Sequence, residues 1–319
     1  STLRLLHETD NKALLALFYI CIIWGTTYLS GRIVVQVFPS FLFAALRQVI
    51  SGIIIIAIAL FINKKADLTK ANILHQAKVG FLLITMGNGL VMWGMRFIPS
   101  GVAALICGLM PLNAVVINII LTKERINGII IAGMLTGFAG IALIFKDNLA
   151  DLTNSSYLFG IIATFIATSC WSFGSVINKK HVSNVNPIFN SGMQLIFGCI
   201  GLFILSLFAD SYENLNFFQP KVIWNLAYLV IFGSVLAYTL YMYALKELPV
   251  GITTLYAYVN PLVAVVLGYF VLNEQLTWYT ALAFATIAGG VYIVNYGYRR
   301  KHKQTEAEKA ALLTIPEAE

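Results

Sequence analysis

The residues of this chain best suited to hold another molecule are polar and aromatic side chains set four apart inside long apolar runs. Trp24 with Tyr28, Asn88 with Met92, Trp171 with Ser175, Tyr238 with Met242, and Tyr256 with Asn260 each share one face if their segments are helical. An amide or phenol turned toward hydrocarbon is costly, so these faces should point inward. Asn113, Tyr241 and Gln194 can add donors to the same interior. Such a lining is aromatic, weakly polar and nearly uncharged. It suits small amphipathic molecules, amino acids among them, better than sugar phosphates or bare ions, and aromatic faces also attract ammonium groups. Hydrogen bonding between helices is the competing use of each residue taken singly.

Reactive chemistry is harder to find. An enzyme would need a nucleophile with a base, paired carboxylates or a metal cluster inside these runs, and none is visible. No Asp or Glu lies deep in any of them. Proton or sodium coupling through a buried carboxylate therefore has no evident carrier, and facilitated diffusion or exchange gains weight. Cys21, Cys107, Cys170 and Cys199 all fall in apolar runs as small polarisable core residues. His7, His75, His181 and His302 are scattered at non-ligand spacing, so neither a metal nor another cofactor is expected. Arg47 is the one charge well inside an apolar run. A buried guanidinium is expensive; structural or gating use is the favoured reading, with snorkelling and contact with an anionic substrate group left open.

The elements that must position these residues follow from composition. Of 319 residues, 59% are hydrophobic and 11% charged, and the mean hydropathy is +0.82. That leaves too few polar groups to cover a water-facing globule. Runs of about 20 residues, enough to cross a bilayer core, lie near 13–31, 40–62, 79–98, 101–122 and 127–146. A second set lies near 157–178, 187–209, 222–245, 251–272 and 278–298. The expectation is an all-α membrane protein of ten transmembrane helices between a polar lead, 1–12, and a charged tail, 299–319. The first run is read as a retained helix and not as a signal peptide.

Two of these runs carry the same breakers. "FIPSGVAALICGLMPL" (97–112) and "ELPVGITTLYAYVNPL" (247–262) place Pro99 and Pro249, Gly101 and Gly251, and Pro111 and Pro261 at a constant interval of 150, which also pairs Met92 with Met242 and Glu124 with Glu274. Upstream the interval is 147 for Trp24 and Trp171 and 148 for Pro39 and Pro187. Residues 13–146 and 157–298 thus read as two copies of a five-helix unit. Five is odd, so the second copy enters the membrane from the opposite side. Inverted pairs of this kind serve carriers that open a shared site to one side and then the other. Pro99 and Pro249 mark helix starts. Pro111 and Pro261 lie mid-span, where each frees a carbonyl and makes a kink or a hinge.

The excess of cations, +7 overall, is explained by topology. With both termini in the cytoplasm, sixteen Lys and Arg fall inside and four (Arg32, Arg96, Lys146 and Lys221) outside. Nucleic-acid binding is not expected.

Three further stretches, "FLFAALRQVISG", "IPSGVAALICGLMPL" and "LNEQLTWYTALAFATIAGGVYIV", together with the paired halves, resemble the EamA family of the drug/metabolite transporter superfamily over about residues 13–298. The resemblance implies a ten-helix carrier of small organic metabolites in a bacterial plasma membrane, often an exporter of amino acids or related compounds. It also implies that Glu124 and Glu274, which match the family's glutamates, lock a helix end or gate, and that Arg47 matches the family's arginine. A channel-like or lipid-moving protein, drug efflux included, is the alternative. The expected partners are a small-molecule substrate and the lipid bilayer, with the chain a monomer or weak dimer. Cysteine labelling in a cysteine-free background checks the orientation: Ala150→Cys should react with an impermeant probe from outside and Ala66→Cys only from inside.

Overall fold

The computed structural model describes residues 11–62, 66–122, 127–147, 155–180, 187–213, 215–248, 253 and 256–313. Glu124, Pro249, Gly251 and position 150 lie outside them. All regular structure among the described residues is helical, as a chain that must satisfy its own backbone in hydrocarbon requires. The helices are α1 (Asn11–Val35), α2 (Ser40–Phe61), α3 (Lys70–Gly94), an interrupted α4 (Ser100–Cys107 and Met110–Thr122), α5 (Gly128–Asp147), α6 (Ser155–Lys180), α7 (Pro187–Ala209), α8 (Pro220–Glu247), α9 (Tyr256–Leu272) and α10 (Trp278–Leu313). Eight of them are long and apolar enough to cross a membrane; α5 and α9 contribute the shorter apolar stretches Gly128–Gly140 and Val259–Leu272.

Two boundaries differ from the hydropathy reading. α3 starts at Lys70, not near 79, because its first turns carry polar residues that are nevertheless buried: Asn72 and Gln76 are 2% and 1% exposed. Thr69 caps this start by accepting from the Asn72 amide at 3.3 Å. α10 continues to Leu313 through a tail rich in Ala, Lys and Glu, which are good helix formers in water.

Helices pack mostly across the two halves of the chain. α2 lies along α7 and α5 along α10, while α1 meets α8 and α9, and α6 meets α3 and α4. Small residues let these backbones approach. A Cβ added to Gly52 would come 3.2 Å from the Gly192 carbonyl oxygen, and one on Gly192 would come 3.3 Å from that of Gly52.

Breaks in helical geometry are concentrated in α3, α4 and α8. The segments Phe81–Asn88 of α3 and Leu229–Leu236 of α8 are both π-helical, eight residues each, and 148 positions apart. Wider turns of this sort often sit at functional sites. In α4 the interruption falls at Gly108 and Leu109, where Gly108 N bonds both Ala104 O and Leu105 O at 3.0 Å. Pro111 explains it: the ring needs the space of the carbonyl four residues earlier, at Cys107, and has no N–H to offer it. The expected break at Pro111 is therefore displaced a turn upstream, whereas α9 runs unbroken through Pro261. The helix start expected at Pro99 is present, with Pro99 as the N-cap of α4.

The closest approach of a glycine to the backbone of another helix generates a test. A Cβ on Gly290 of α10 would lie 2.3 Å from the backbone nitrogen of Gly137 in α5, while one on Gly289 meets nothing within 4 Å. Gly290→Ala should destabilise the protein by about 1–3 kcal/mol through overpacking, and Gly289→Ala should not, as read by thermal unfolding in detergent.

Candidate functional site

The bundle holds a cavity with about 90 Å³ open to the centre of a water molecule, several times the roughly 10–15 Å³ that one buried water needs. α1 lines it with Trp24, Thr27 and Tyr28, and α2 with Arg47 and Gln48. Gly87 and Asn88 come from the π segment of α3, followed by Met92 and Met95. Cys107 and Met110 flank the α4 interruption. Thr168 and Trp171 of α6, Gly233, Ser234 and Tyr238 of α8, and Tyr256 and Asn260 of α9 close the far wall.

Its aromatic side is built on Trp24. The indole meets Trp171 edge-on at 5.6 Å between centroids, Tyr256 at 4.9 Å and Tyr241 at 5.1 Å, arrangements that ring quadrupoles favour. Trp24 is fixed at both ends: its Nε1 donates to Gly233 O at 3.0 Å, a carbonyl within the π segment of α8. Tyr256 Oη donates to Met110 Sδ at 2.9 Å, which ties α9 to the lower half of α4. The Asn260 amide nitrogen, in the orientation that satisfies it, donates to Cys21 O at 2.9 Å and Tyr256 O at 3.1 Å. The buried indole N–H of Trp171 makes no well-formed hydrogen bond.

Its polar side is a relay between the two π segments. Arg47 Nε donates to Ser234 Oγ at 2.8 Å, Ser234 donates to Gln48 Oε1 at 3.1 Å, and Gln48 Nε2 donates to Asn88 Oδ1 at 3.1 Å. A second chain of amides leaves the cavity toward the Lys70 end of α3. Tyr238 Oη donates to Gln194 Oε1 (2.6 Å), Gln194 Nε2 to Gln76 Oε1 (2.6 Å), Gln76 Nε2 to Asn72 Oδ1 (2.8 Å), and Asn72 Nδ2 to Asn190 Oδ1 (3.1 Å). Each amide is satisfied by the next, which is what makes their burial affordable.

Of the residues singled out from sequence, Trp24, Tyr28, Asn88, Met92, Trp171, Tyr238, Tyr256 and Asn260 line this cavity, and so does Arg47. Asn113, Ser175 and Tyr241 do not. Asn113 donates to Ser169 Oγ at 3.2 Å, and Ser175 and Tyr241 bond one another at 2.7 Å behind the aromatic wall. Pro111, Pro261 and Glu274 also stand outside the lining. Thr27, Gln48, Met95, Thr168, Gly233 and Ser234 went unrecognised in the sequence. Gln48 adjoins Arg47 and was the legible one; Gly233 and Ser234 carry no spacing signal.

Glu274 lies just past the end of α9. Asn273 takes a left-handed backbone, φ 53°, which asparagine tolerates, and this turns the Glu274 carboxylate onto the start of α4. It accepts from Ser100 N at 2.8 Å, Gly101 N at 3.3 Å and Ser100 Oγ at 2.8 and 2.9 Å, satisfying N–H groups that a helix start leaves orphaned. Asp210, just past α7, does the same for α2 by accepting from Leu42 N at 2.8 Å, with Arg96 at 3.9 Å.

A weakly polar cavity at the meeting of apolar helices is the build of a multi-pass membrane transport protein. The chain belongs to the EamA-like transporter family, which it matches over residues 11–146 and 158–296. It is 33% identical to the "uncharacterized inner membrane transporter YedA" of Escherichia coli, across 88% of this chain and 90% of that one. It is 21% identical to the "uncharacterized transporter YoaV" of Bacillus subtilis, across 91% and 99%. The chloroplastic WAT1-related protein At3g02690 of Arabidopsis thaliana is 23% identical, across 86% and 67%. A solved crystal structure with 22% identity shares the fold, with a TM-score of 0.62 over 88% of this chain and 96% of that chain.

The Glu274 contact is open to test. Glu274→Ala should cost about 1–2 kcal/mol, the range for losing a helix cap, and should speed amide exchange in residues 100–103 without changing exchange in α6. Unchanged exchange at Ser100 and Gly101 would show that the cap is not formed.

Proposed function

We propose that the protein carries small amphipathic metabolites, amino acids or related compounds, outward across the inner membrane by alternating access of two inverted five-helix repeats. In this reading α1–α5 and α6–α10 are ten spans with both termini cytoplasmic. The cargo occupies the central cavity against Trp24, Tyr28, Asn88, Met92, Trp171, Tyr238, Tyr256 and Asn260. Asn113, Ser175 and Tyr241 support that wall from behind. Arg47, Pro111, Pro261, Glu124 and Glu274 serve structure and gating, Arg47 from the cavity wall itself, where the cargo can also reach it.

One observation carries the reading: the main helix contacts recur when the halves are exchanged. Adding five to each helix number turns α1 against α9 into α6 against α4, and α1 against α8 into α6 against α3; α2 with α7 and α5 with α10 map onto themselves. The paired π segments obey the same exchange. A cavity bordered by both halves is where two such units can rock about one site.

Reconstitution into liposomes tests it. A panel of labelled amino acids should show saturable uptake and counterflow, and linear, unsaturable flux would instead indicate a pore. Trp24→Ala, Asn88→Ala, Trp171→Ala and Tyr256→Ala should each reduce flux at least tenfold in folded protein. Native rates in all four would remove the cavity from the pathway.

A further inference from the structure

We infer that Arg47 is an anion anchor, so that the cargo must carry a carboxylate while an ammonium group on it is dispensable. This rests on the transport reading above and narrows the substrate class of the same cavity.

Arg47 is only 5% exposed, yet it forms part of the cavity wall. Its Nε donates to Ser234 Oγ, and among the described residues no carboxylate pairs with it; Arg96 and Asp210 form the ion pair found there. Ser234 is neutral and donates its own hydrogen bond to Gln48 Oε1. The guanidinium charge is thus met by dipoles alone. A buried lysine or histidine can shed its proton in such a place, but an arginine keeps its own. An unpaired buried cation is unfavourable, and the described residues supply no carboxylate as its counter-ion, which leaves one to arrive from outside. A carboxylate fits a guanidinium with two parallel N–H bonds. One fixed cation balances one negative charge, so a monocarboxylate is matched and a dianionic phosphate is not.

The opposite end of the cargo meets different chemistry. No Asp or Glu lines the cavity among the described residues. An ammonium group would find only ring faces such as those of Trp24 and Tyr256, a weaker attraction than an ion pair. Met92 and Met110 add polarizable, adaptable surface for an apolar body. Recognition is therefore lopsided: anchored at the acid, permissive at the amine.

The test uses purified full-length protein at pH 7 and two matched triads as probes. One is phenylalanine, 3-phenylpropionate and 2-phenylethylamine; the other is leucine, 4-methylpentanoate and isoamylamine. Binding is read by tryptophan fluorescence, since Trp24 and Trp171 border the cavity. In at least one triad the amino acid and the acid should bind the native protein at least tenfold more tightly than the amine, about 1.4 kcal/mol. Arg47→Lys should keep this preference and Arg47→Gln should lose it. Equal binding of amine and acid overturns the anchor, as does a folded Arg47→Gln that still prefers acids, or binding of none of the six by native protein. If Arg47→Gln does not fold, the native protein and Arg47→Lys decide between the same outcomes. Counterflow in liposomes separates the two readings. Flux without charge preference ends the anchor and leaves transport standing, whereas acid-selective binding without flux does the reverse.

Discussion

Hydrocarbon offers a peptide group no partner, and each departure from regular structure in this protein is arranged around that fact. A carbonyl freed inside a membrane must find a donor from another helix or face a cavity. The interruption at Gly108, the π segments of α3 and α8 and the aromatic wall all gather at one place. Gly233 shows how: the widened helix offers its carbonyl, and the indole of Trp24, 209 residues away in sequence, takes it. The breakers and the cavity wall are one device, since the cavity makes the irregular backbone tolerable and the irregular backbone shapes the cavity.

The same place joins the halves of the chain. Arg47 and Gln48 of α2 hold Ser234 of α8, and Gln48 holds Asn88 of α3. Trp24 of α1 packs on Trp171 of α6. A molecule seated there touches both units at once. The outer contacts have a simpler logic, with a carboxylate from just beyond one helix capping the start of another. Such a cap draws on the partial charge of the helix end and needs no precise side-chain packing.

Much of this was legible in the sequence because hydrocarbon leaves few options. Twenty-residue apolar runs gave most helices to within a few residues. Inward-facing pairs four apart found seven of the cavity's polar and aromatic residues, and Met92 beside them, since a polar face inside a membrane has nowhere else to turn. What the pattern lacks is the neighbour: spacing puts Trp171 and Ser175 on one face without saying that Tyr241 stands in front of Ser175. Asn113 failed for the same reason, its partner being Ser169 on α6. The π segments also escaped, because a wider turn shifts every later residue's facing and no residue type demands it. α3 began early because Asn72 and Gln76 count as polar in any hydropathy window, although each is buried against another amide.

That run of amides, from Tyr238 through Gln194 and Gln76 to Asn72 and Asn190, consists entirely of neutral groups. Separating it would break hydrogen bonds but carry no elementary charge through the electric field, whereas displacing one full charge across the membrane is worth about 2.3 kcal/mol per 100 mV. These hydrogen bonds therefore add no voltage dependence of their own to the seam beside the cavity.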